Sequence, residues 1–399
     1  MLLLAGPAAV CWGCNTDSSA SSPMTIADSA GVRVVTNYGA GGPIPTWEVE
    51  ATPRLSVGSN EGEVATRLFR VADALRLADG GVLIADGGSG EIRHFGADGR
   101  HIRSFGGLGD GPGEFRRVSA LSLGDADELV IYDRGLHRVT RYGIDGTFRG
   151  SYQVGLPEAD GRTLFPTRLL AQGATLVGRE GQDLSSGPSL GVTRDTARWV
   201  RVHPASDSAE VIVSVPGSWS VQFEVQGQRF YRVAPLTPRP SWDLQGATLY
   251  VSPGATFEIR VIDLDEGTQG IWRRSVQREQ ADEAVISSWE AGFEQTAALP
   301  ASERPRLLDF YDAMPYPDSL PAYSDLHADP LGYLWAERFH HEYDPERLWD
   351  VYSGVGEFMG TVELPAGLWV LEIGEDYVLG IHYDDLGVEY VREYGLVRT

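Results

Sequence analysis

Short runs in which apolar and polar positions alternate, separated by Asp-Gly turns, dominate this chain. Val71 to Leu77 alternates, Asp79-Gly80-Gly81 turns, and Val82 to Ala85 returns. Glu91 to Phe95 forms a third strand, Ala97-Asp98-Gly99 a second turn, and His101 to Phe105 a fourth strand. The same series recurs as Ala120 to Leu123, Leu129 to Tyr132, Arg138 to Tyr142, the turn Ile144-Asp145-Gly146, and Phe148 to Tyr152. Asp86 to Asp133 is a step of 47 positions, and Asp98 to Asp145 is again 47. Weaker echoes follow at Leu176-Val177-Gly178-Arg179, Leu249-Tyr250-Val251-Ser252, Leu334-Trp335-Ala336-Glu337 and Val378-Leu379-Gly380-Ile381. A repeat of this length, built of several short strands, predicts a β-propeller.

Six units can be counted. The third runs from Thr167 to about Val215, the fourth from Pro240 to Arg273, and the fifth from Ala322 to Leu364. The sixth has only three strands, Leu368 to Ile373, Tyr377 to His382 and Glu389 to Tyr394. Leu55-Ser56-Val57-Gly58 reads like Arg103-Ser104-Phe105-Gly106 at an offset of 48, so the segment before the first unit behaves as a last strand. The expected fold is all-β, a six-bladed β-propeller closed by an N-terminal strand, which leaves no open edge between first and last blades. One stretch breaks the pattern. Between 275 and 317 the composition turns to Glu, Gln, Ala and Arg, and Val285, Trp289 and Phe293 fall at helical spacing. Glu303 to Met314 opens with Pro305 in its first turn. This predicts a helical hairpin inserted between blades four and five, with its apolar stripe packed on the propeller.

Between the first two units lies Phe105-Gly106-Gly107-Leu108-Gly109-Asp110-Gly111-Pro112-Gly113-Glu114-Phe115. With Ile84-Ala85-Asp86 and Gly90-Glu91-Ile92-Arg93-His94-Phe95, this segment resembles the NHL-repeat propellers over residues 67 to 152. Their blades are joined by a similar glycine-rich connection. The whole chain looks like the exported six-bladed propeller proteins of bacteria. Propeller lactonases of this fold need Asn and acidic metal ligands at the pore, whereas Asn15, Asn37 and Asn60 all precede the first full blade. NHL-type amidating lyases use pore His ligands, and no blade-periodic His stands here. The resemblance implies a binding module more readily than an enzyme.

Charge narrows the partners. The net charge of -23 opposes nucleic acid, whose phosphates need a basic face. All 33 basic residues are arginine. Leu2 to Val10 is an apolar run too short to span a bilayer, followed by Gly13-Cys14 and a Ser-rich stretch up to Pro23. This looks like a bacterial lipoprotein leader over residues 1–23, with Cys14 lipidated and a propeller domain over 24–399. The expected location is the cell envelope, as a periplasmic or outer-membrane lipoprotein held to membrane only through its lipid, with secretion as the alternative. Cys11 and Cys14 are the only cysteines, and their C-x-x-C spacing has no second pair to make a zinc site.

No catalytic motif, metal cluster or cofactor signature emerges. His340-His341 would point to opposite strand faces, and no G-x-S-x-G elbow is present. Two candidate surfaces remain. Arg70, Arg117, Arg168 and Arg239 each precede an innermost strand, so they are candidates for a ring at the channel mouth that takes an anion. The competing reading pairs them with Asp73, Asp243 or Asp325 as ties between blades. Trp219, Phe223 and Tyr231 in the long connection to blade four, with Tyr323 beside the helical insert, form a candidate aromatic surface, or else pack the insertions themselves. The sequence thus points to a monomeric, exported, non-catalytic module that binds a protein, peptide or glycan, with a channel-centred lyase or lactonase as the alternative.

Overall fold

A computed structural model of the chain describes residues 24–39, 44, 46–124, 127–154, 164–169, 176–180, 191–203, 208–225, 228–296, 316–341, 343, 344 and 346–398, with backbone only for 164–169, 176–180, 203, 208, 209, 222–225, 228–232 and 294–296. The chain opens with a hairpin of β1 (Met24–Ser29) and β2 (Val32–Tyr38), then β3 (Trp47–Val57). Ala30 and Gly31 form the hairpin turn with φ of 55 and 83, the paired positive values that match strand twist.

The repeats then form sheets. The first holds β4 (Val71–Arg76), β5 (Val82–Asp86), β6 (Glu91–Phe95) and β7 (His101–Gly106). The second holds β8 (Val118–Leu123), β9 (Glu128–Asp133), β10 (Arg138–Gly143) and β11 (Phe148–Gln153). The third is five-stranded, with β12 (Leu164–Leu169), β13 (Leu176–Glu180), β14 (Gly191–His203), β15 (Ser208–Val225) and β16 (Gln228–Val233). The fourth comprises β17 (Ser241–Gln245), β18 (Thr248–Ser252), β19 (Glu258–Asp263) and β20 (Gln269–Ser275), and β2 joins β20 in parallel to make it six-stranded. Helix α1 (Glu283–Thr296) follows. The fifth sheet is β21 (Tyr323–Ala328), β22 (Leu334–Arg338), β23 (Leu348–Tyr352) and β24 (Phe358–Glu363). The sixth is β25 (Leu368–Ile373), β26 (Tyr377–Tyr383), β27 (Glu389–Arg398) and, antiparallel to β27, β3.

The core lies between sheets rather than inside any one. Leu75, Leu83 and Ile92 of the first sheet meet Leu121, Ile131 and Tyr142 of the second. Val139 and Tyr132 of the second meet Val200 and Val202 of the third. Trp199 and Val215 then meet Leu249 and Ile262, Trp272 and Tyr250 meet Tyr323 and Leu334, and Trp335 and Val351 meet Val378 and Leu368. Finally, Leu379 and Val391 of the sixth sheet meet Val82, Ile84 and Phe95 of the first. Each fully buried aliphatic or aromatic side chain contributes about 1.5–3 kcal/mol, so every sheet depends on two neighbours for most of its stability.

The repeated Asp and Arg positions serve this packing. Asp86 pairs with Arg93 at 2.7 Å, and both side chains are buried. Arg93 donates onward to the carbonyl of Arg67 at 2.7 Å, pinning the chain that leads into β4. Arg138 does the same one sheet later, donating to the Asp110 carbonyl at 3.0 Å. The Tyr142 hydroxyl donates to the Gly113 carbonyl at 2.8 Å, and a Cβ at that glycine (φ +82) would collide with the hydroxyl. The glycine-rich connection is therefore set by close approach, not by a phosphate.

The sequence reading needs adjusting in two places. The N-terminal hairpin of β1 and β2 was not expected, and β3 starts well before Leu55. Of the expected helical hairpin, only α1 lies within the described residues. Asp282 caps it, accepting the Val285 amide at 3.0 Å. Its Trp289 is buried against Val221, Leu236 and Leu320, with Val285, Phe293 and Trp219 alongside. The second expected helix, 303–314, falls outside the described residues.

Candidate functional site

Five innermost strands enclose a cavity of about 650 Å³, a volume typical of small-ligand sites. Its lining runs from Ala72 to Arg76 in β4, and includes Ser119 and Ser122 of β8, Asp243 and Gln245 of β17, Asp325 and His327 of β21, and Glu372 of β25. The lining extends to Leu123, Gly246 and Pro330 at the C-terminal ends of these strands.

A local irregularity aims these groups. Register slips by one residue between Val71 and Asp73, between Val118 and Ala120, between Tyr323 and Asp325, and between Val370 and Glu372. Such a bulge bends the strand and redirects the next side chain. In three of these four cases that side chain is a carboxylate, and Asp243 occupies the matching place in β17 without a bulge. Each carboxylate also binds backbone. Asp73 accepts the Ala74 amide at 2.9 Å and the Leu121 amide of the next sheet at 2.7 Å. Asp243 accepts the Ala328 amide at 2.7 Å, again across a sheet boundary. Glu372 accepts the Arg76 amide at 3.1 Å and the Tyr377 hydroxyl at 2.8 Å. Burial, and then the adjacent Glu372 charge, push the Tyr377 hydroxyl far above the usual phenol range. Besides arginine–carboxylate pairs such as Arg76 with Glu393, ties between sheets therefore also run from carboxylate to backbone amide.

Two further groups carry chemistry. His327 Nε2 stands 3.4 Å from Asp325 Oδ2, with the His327 side chain only 11% exposed. Arg76 donates Nε to Glu393 at 2.9 Å and lies over the Tyr377 ring at 4.6 Å, so its charge is already engaged. Among the described residues the carboxylates of the lining outnumber its basic groups. Among the described residues no three His, Cys, Asp or Glu side chains converge as a metal site would require.

Arg70, Arg117 and Arg239 are exposed, and none lines this cavity. Arg70 and Arg117 share one register, three residues ahead of Asp73 and Ala120. Arg168 occupies the register of Asp73 itself, within β12, and its side chain lies outside the described residues. Arg239 sits one position earlier than the register of Arg70. The four therefore do not form one layer. Trp219 is half-buried against α1, with the Arg194 guanidinium 5.4 Å from its ring. Phe223 pairs with Phe230, and Tyr231 with Gln222, in the β15–β16 ladder, and their side chains fall outside the described residues. Tyr323 corrects the expectation of a surface ring. It is 0% exposed because its ring fills the gap between the fourth and fifth sheets and its hydroxyl donates to Asp350 at 3.2 Å. Cys14 lies outside the described residues.

Sequence reasoning had noticed Asp73, Asp243 and Asp325 only as partners for arginine, and had passed over Glu372 and His327. The available signal was that each of these residues stands in the innermost strand of its repeat.

No protein-family model and no curated protein matches the sequence. A solved structure of a DUF4221 family member from Bacteroides vulgatus is similar over 89% of this chain and 99% of that one, at 9% identity and a TM-score of 0.52. The fold is a β-propeller. A Bacteroides fragilis protein described as exported also aligns, at 12% identity over 90% of this chain and 99% of its own, with a TM-score of 0.49. Virginiamycin B lyase from Staphylococcus aureus aligns at 8% identity over 88% and 99%, with a TM-score of 0.41. Among the described residues of this propeller, no helix is long and apolar enough to cross a membrane.

Proposed function

We propose that the chain is an exported, lipid-anchored propeller of NHL type whose six sheets form one ring of blades closed by β3. In this reading it acts as a non-catalytic binding module, and its channel takes a cationic group, such as the ammonium or guanidinium of a basic peptide. The observation that supports the reading is the presence of Asp73, Asp243, Asp325 and Glu372 in the lining of a single cavity, where the basic groups among the described residues are Arg76 and His327. A low-dielectric channel lined by one sign of charge concentrates ions of the other sign. Backbone amides hold the carboxylates in place, so a ligand would meet a pre-ordered site.

Thermal unfolding with added ligand tests this. A ligand at a hundred times its Kd adds about 2.7 kcal/mol to the stability of the folded state. Arginine amide or spermidine should raise the unfolding temperature, glucuronate should not, and the Asp243→Asn/Asp325→Asn variant should lose the response. Asparagine keeps an acceptor for the backbone ties while removing the charge. Protection by anions, or an unchanged response in the variant, would sink the proposal.

One observation favours the alternative, a channel-centred lyase or lactonase. His327 Nε2 and Asp325 Oδ2, 3.4 Å apart on the cavity wall, would serve as an acid–base pair once a substrate aligned them. Turnover of a lactone or cyclic ester that disappears in His327→Gln would replace the binding reading with this one.

A further inference from the structure

The end of the ring opposite the cavity carries an exposed surface that the channel does not explain. The innermost strands all begin at this end, and the β26–β27 hairpin turns there. Leu368 pairs with His382, so Tyr383 emerges beside the start of β25. Trp369 is 66% exposed, Tyr383 45%, Leu386 80% and Phe69 59%. Tyr383 and Phe69 are linked across the boundary between sixth and first sheets: Tyr383 pairs with Glu389 in the β26–β27 ladder, and Glu389 Oε2 accepts the Val71 amide at 2.7 Å, close in sequence to Phe69 and Arg70.

Two arginines stand on the same surface. The Arg70 guanidinium lies 5.0 Å from the centre of the Phe69 ring. Arg117 holds the matching register in the second sheet, which the Leu121-to-Asp73 bond ties directly to the first. Both are exposed, and neither makes an ion pair with a described residue. In contrast, Arg76, Arg93 and Arg116 all have carboxylate partners. Arg70 is also held at φ 58, a left-handed conformation that strains a non-glycine residue and that tends to persist at binding sites.

We propose that this face docks a segment of another protein that presents acidic side chains beside aliphatic ones. Trp, Tyr, Phe and Arg are the residues that dominate the energetics of protein–protein contacts. A guanidinium without a partner binds an incoming carboxylate through two parallel hydrogen bonds. Leu386 offers a sugar nothing to hydrogen-bond or stack upon, but it packs well against a peptide side chain, which favours a protein partner over a glycan. The proposal is independent of what the cavity binds.

The test pans a peptide library displayed on phage against the full chain. Selected sequences should combine Asp or Glu with Leu, Ile or Val. A synthetic copy of the best one should lose about ten-fold in affinity by fluorescence anisotropy, both on Arg70→Gln/Arg117→Gln and on Leu386→Ser. Position 386 is 80% exposed, so that variant leaves the core untouched. The proposal is overturned if no sequence is enriched, if enriched sequences are basic, or if they bind both variants as well as the parent. It is equally overturned if alginate oligosaccharides or anionic phospholipid vesicles bind with this residue dependence and the peptides do not.

Discussion

Replacing Asp350 with alanine should be among the most damaging single changes in the molecule. Asp350 is 0% exposed, yet it accepts from the Arg338 Nε at 2.8 Å, the Thr361 hydroxyl at 3.0 Å and the Tyr323 hydroxyl at 3.2 Å, and from Arg274 NH1. The Arg274 side chain, only 2% exposed, lies between the fourth and fifth sheets with its guanidinium 3.8 Å from the Phe358 ring centre. Removing the carboxylate leaves that cation buried with its charge uncompensated, and breaking such a pair costs about 3–5 kcal/mol. Asp73→Ala is the useful comparison. Among the described residues it removes bonds to the Ala74 and Leu121 amides, at a cost of about 1 kcal/mol for each. Urea unfolding followed by tryptophan fluorescence would rank the two. Arg274→Met/Asp350→Leu, which removes both charges and keeps the volume, should recover most of the loss. If Asp350→Ala proves milder than Asp73→Ala, or the double variant is worse than the single, the buried pair is not what joins these sheets.

Stability should also depend on pH through His94, which is buried beside Asp79, His101 and Arg103. Burial, and then Arg103, hold its folded pKa below the ordinary histidine value of 6.5. The unfolded chain therefore binds the proton more readily, and stability present above about 6.5 is lost as pH falls below it. His94→Leu should flatten the urea midpoint between about pH 5 and 6.5, whereas an unchanged profile would assign the dependence elsewhere. A second expectation concerns the first strands. A chain beginning at residue 59 should be insoluble because it lacks β3, while one beginning at residue 44 should fold with reduced stability. Solubility and circular dichroism of the two truncations decide the matter, and equal behaviour would show that β3 is dispensable.

The sheets of the first two repeats were legible because the Asp-Gly turns and the 47-residue step are local signals. The partner of the sixth unit was legible as well, through the likeness of Leu55-Ser56-Val57-Gly58 to Arg103-Ser104-Phe105-Gly106. The β1–β2 hairpin escaped notice because Ala30-Gly31 is a weak turn signal and the pairing of β2 with β20 is parallel and distant in sequence. The placement of the arginines was not legible, for a physical reason. Standing before a strand in sequence does not fix a residue's register, and the bulge after Val71, Val118 or Pro166 shifts each side chain by one position. Exposure was unreadable for Tyr323 too, since a tyrosine next to an insertion can either fill a gap between sheets or face solvent.

The strap formed by the first strands has a consequence for how the molecule comes to be folded. Asn37 in β2 donates to the Gly356 carbonyl at 2.9 Å and accepts the Phe358 amide at 2.9 Å, while Val57 in β3 lies opposite Val391 in β27. These strands therefore wait, throughout synthesis, for partners made much later in the chain. Contacts so remote in sequence close slowly, because the loop entropy must be lost before any contact forms. Until β27 arrives, the sixth sheet and β3 both present unpaired edges, and the chain is then most open to pairing with a neighbour. Completion of the sixth sheet waits on β27, and a factor that shields β3 in the meantime would raise the yield without touching the stability of the finished fold.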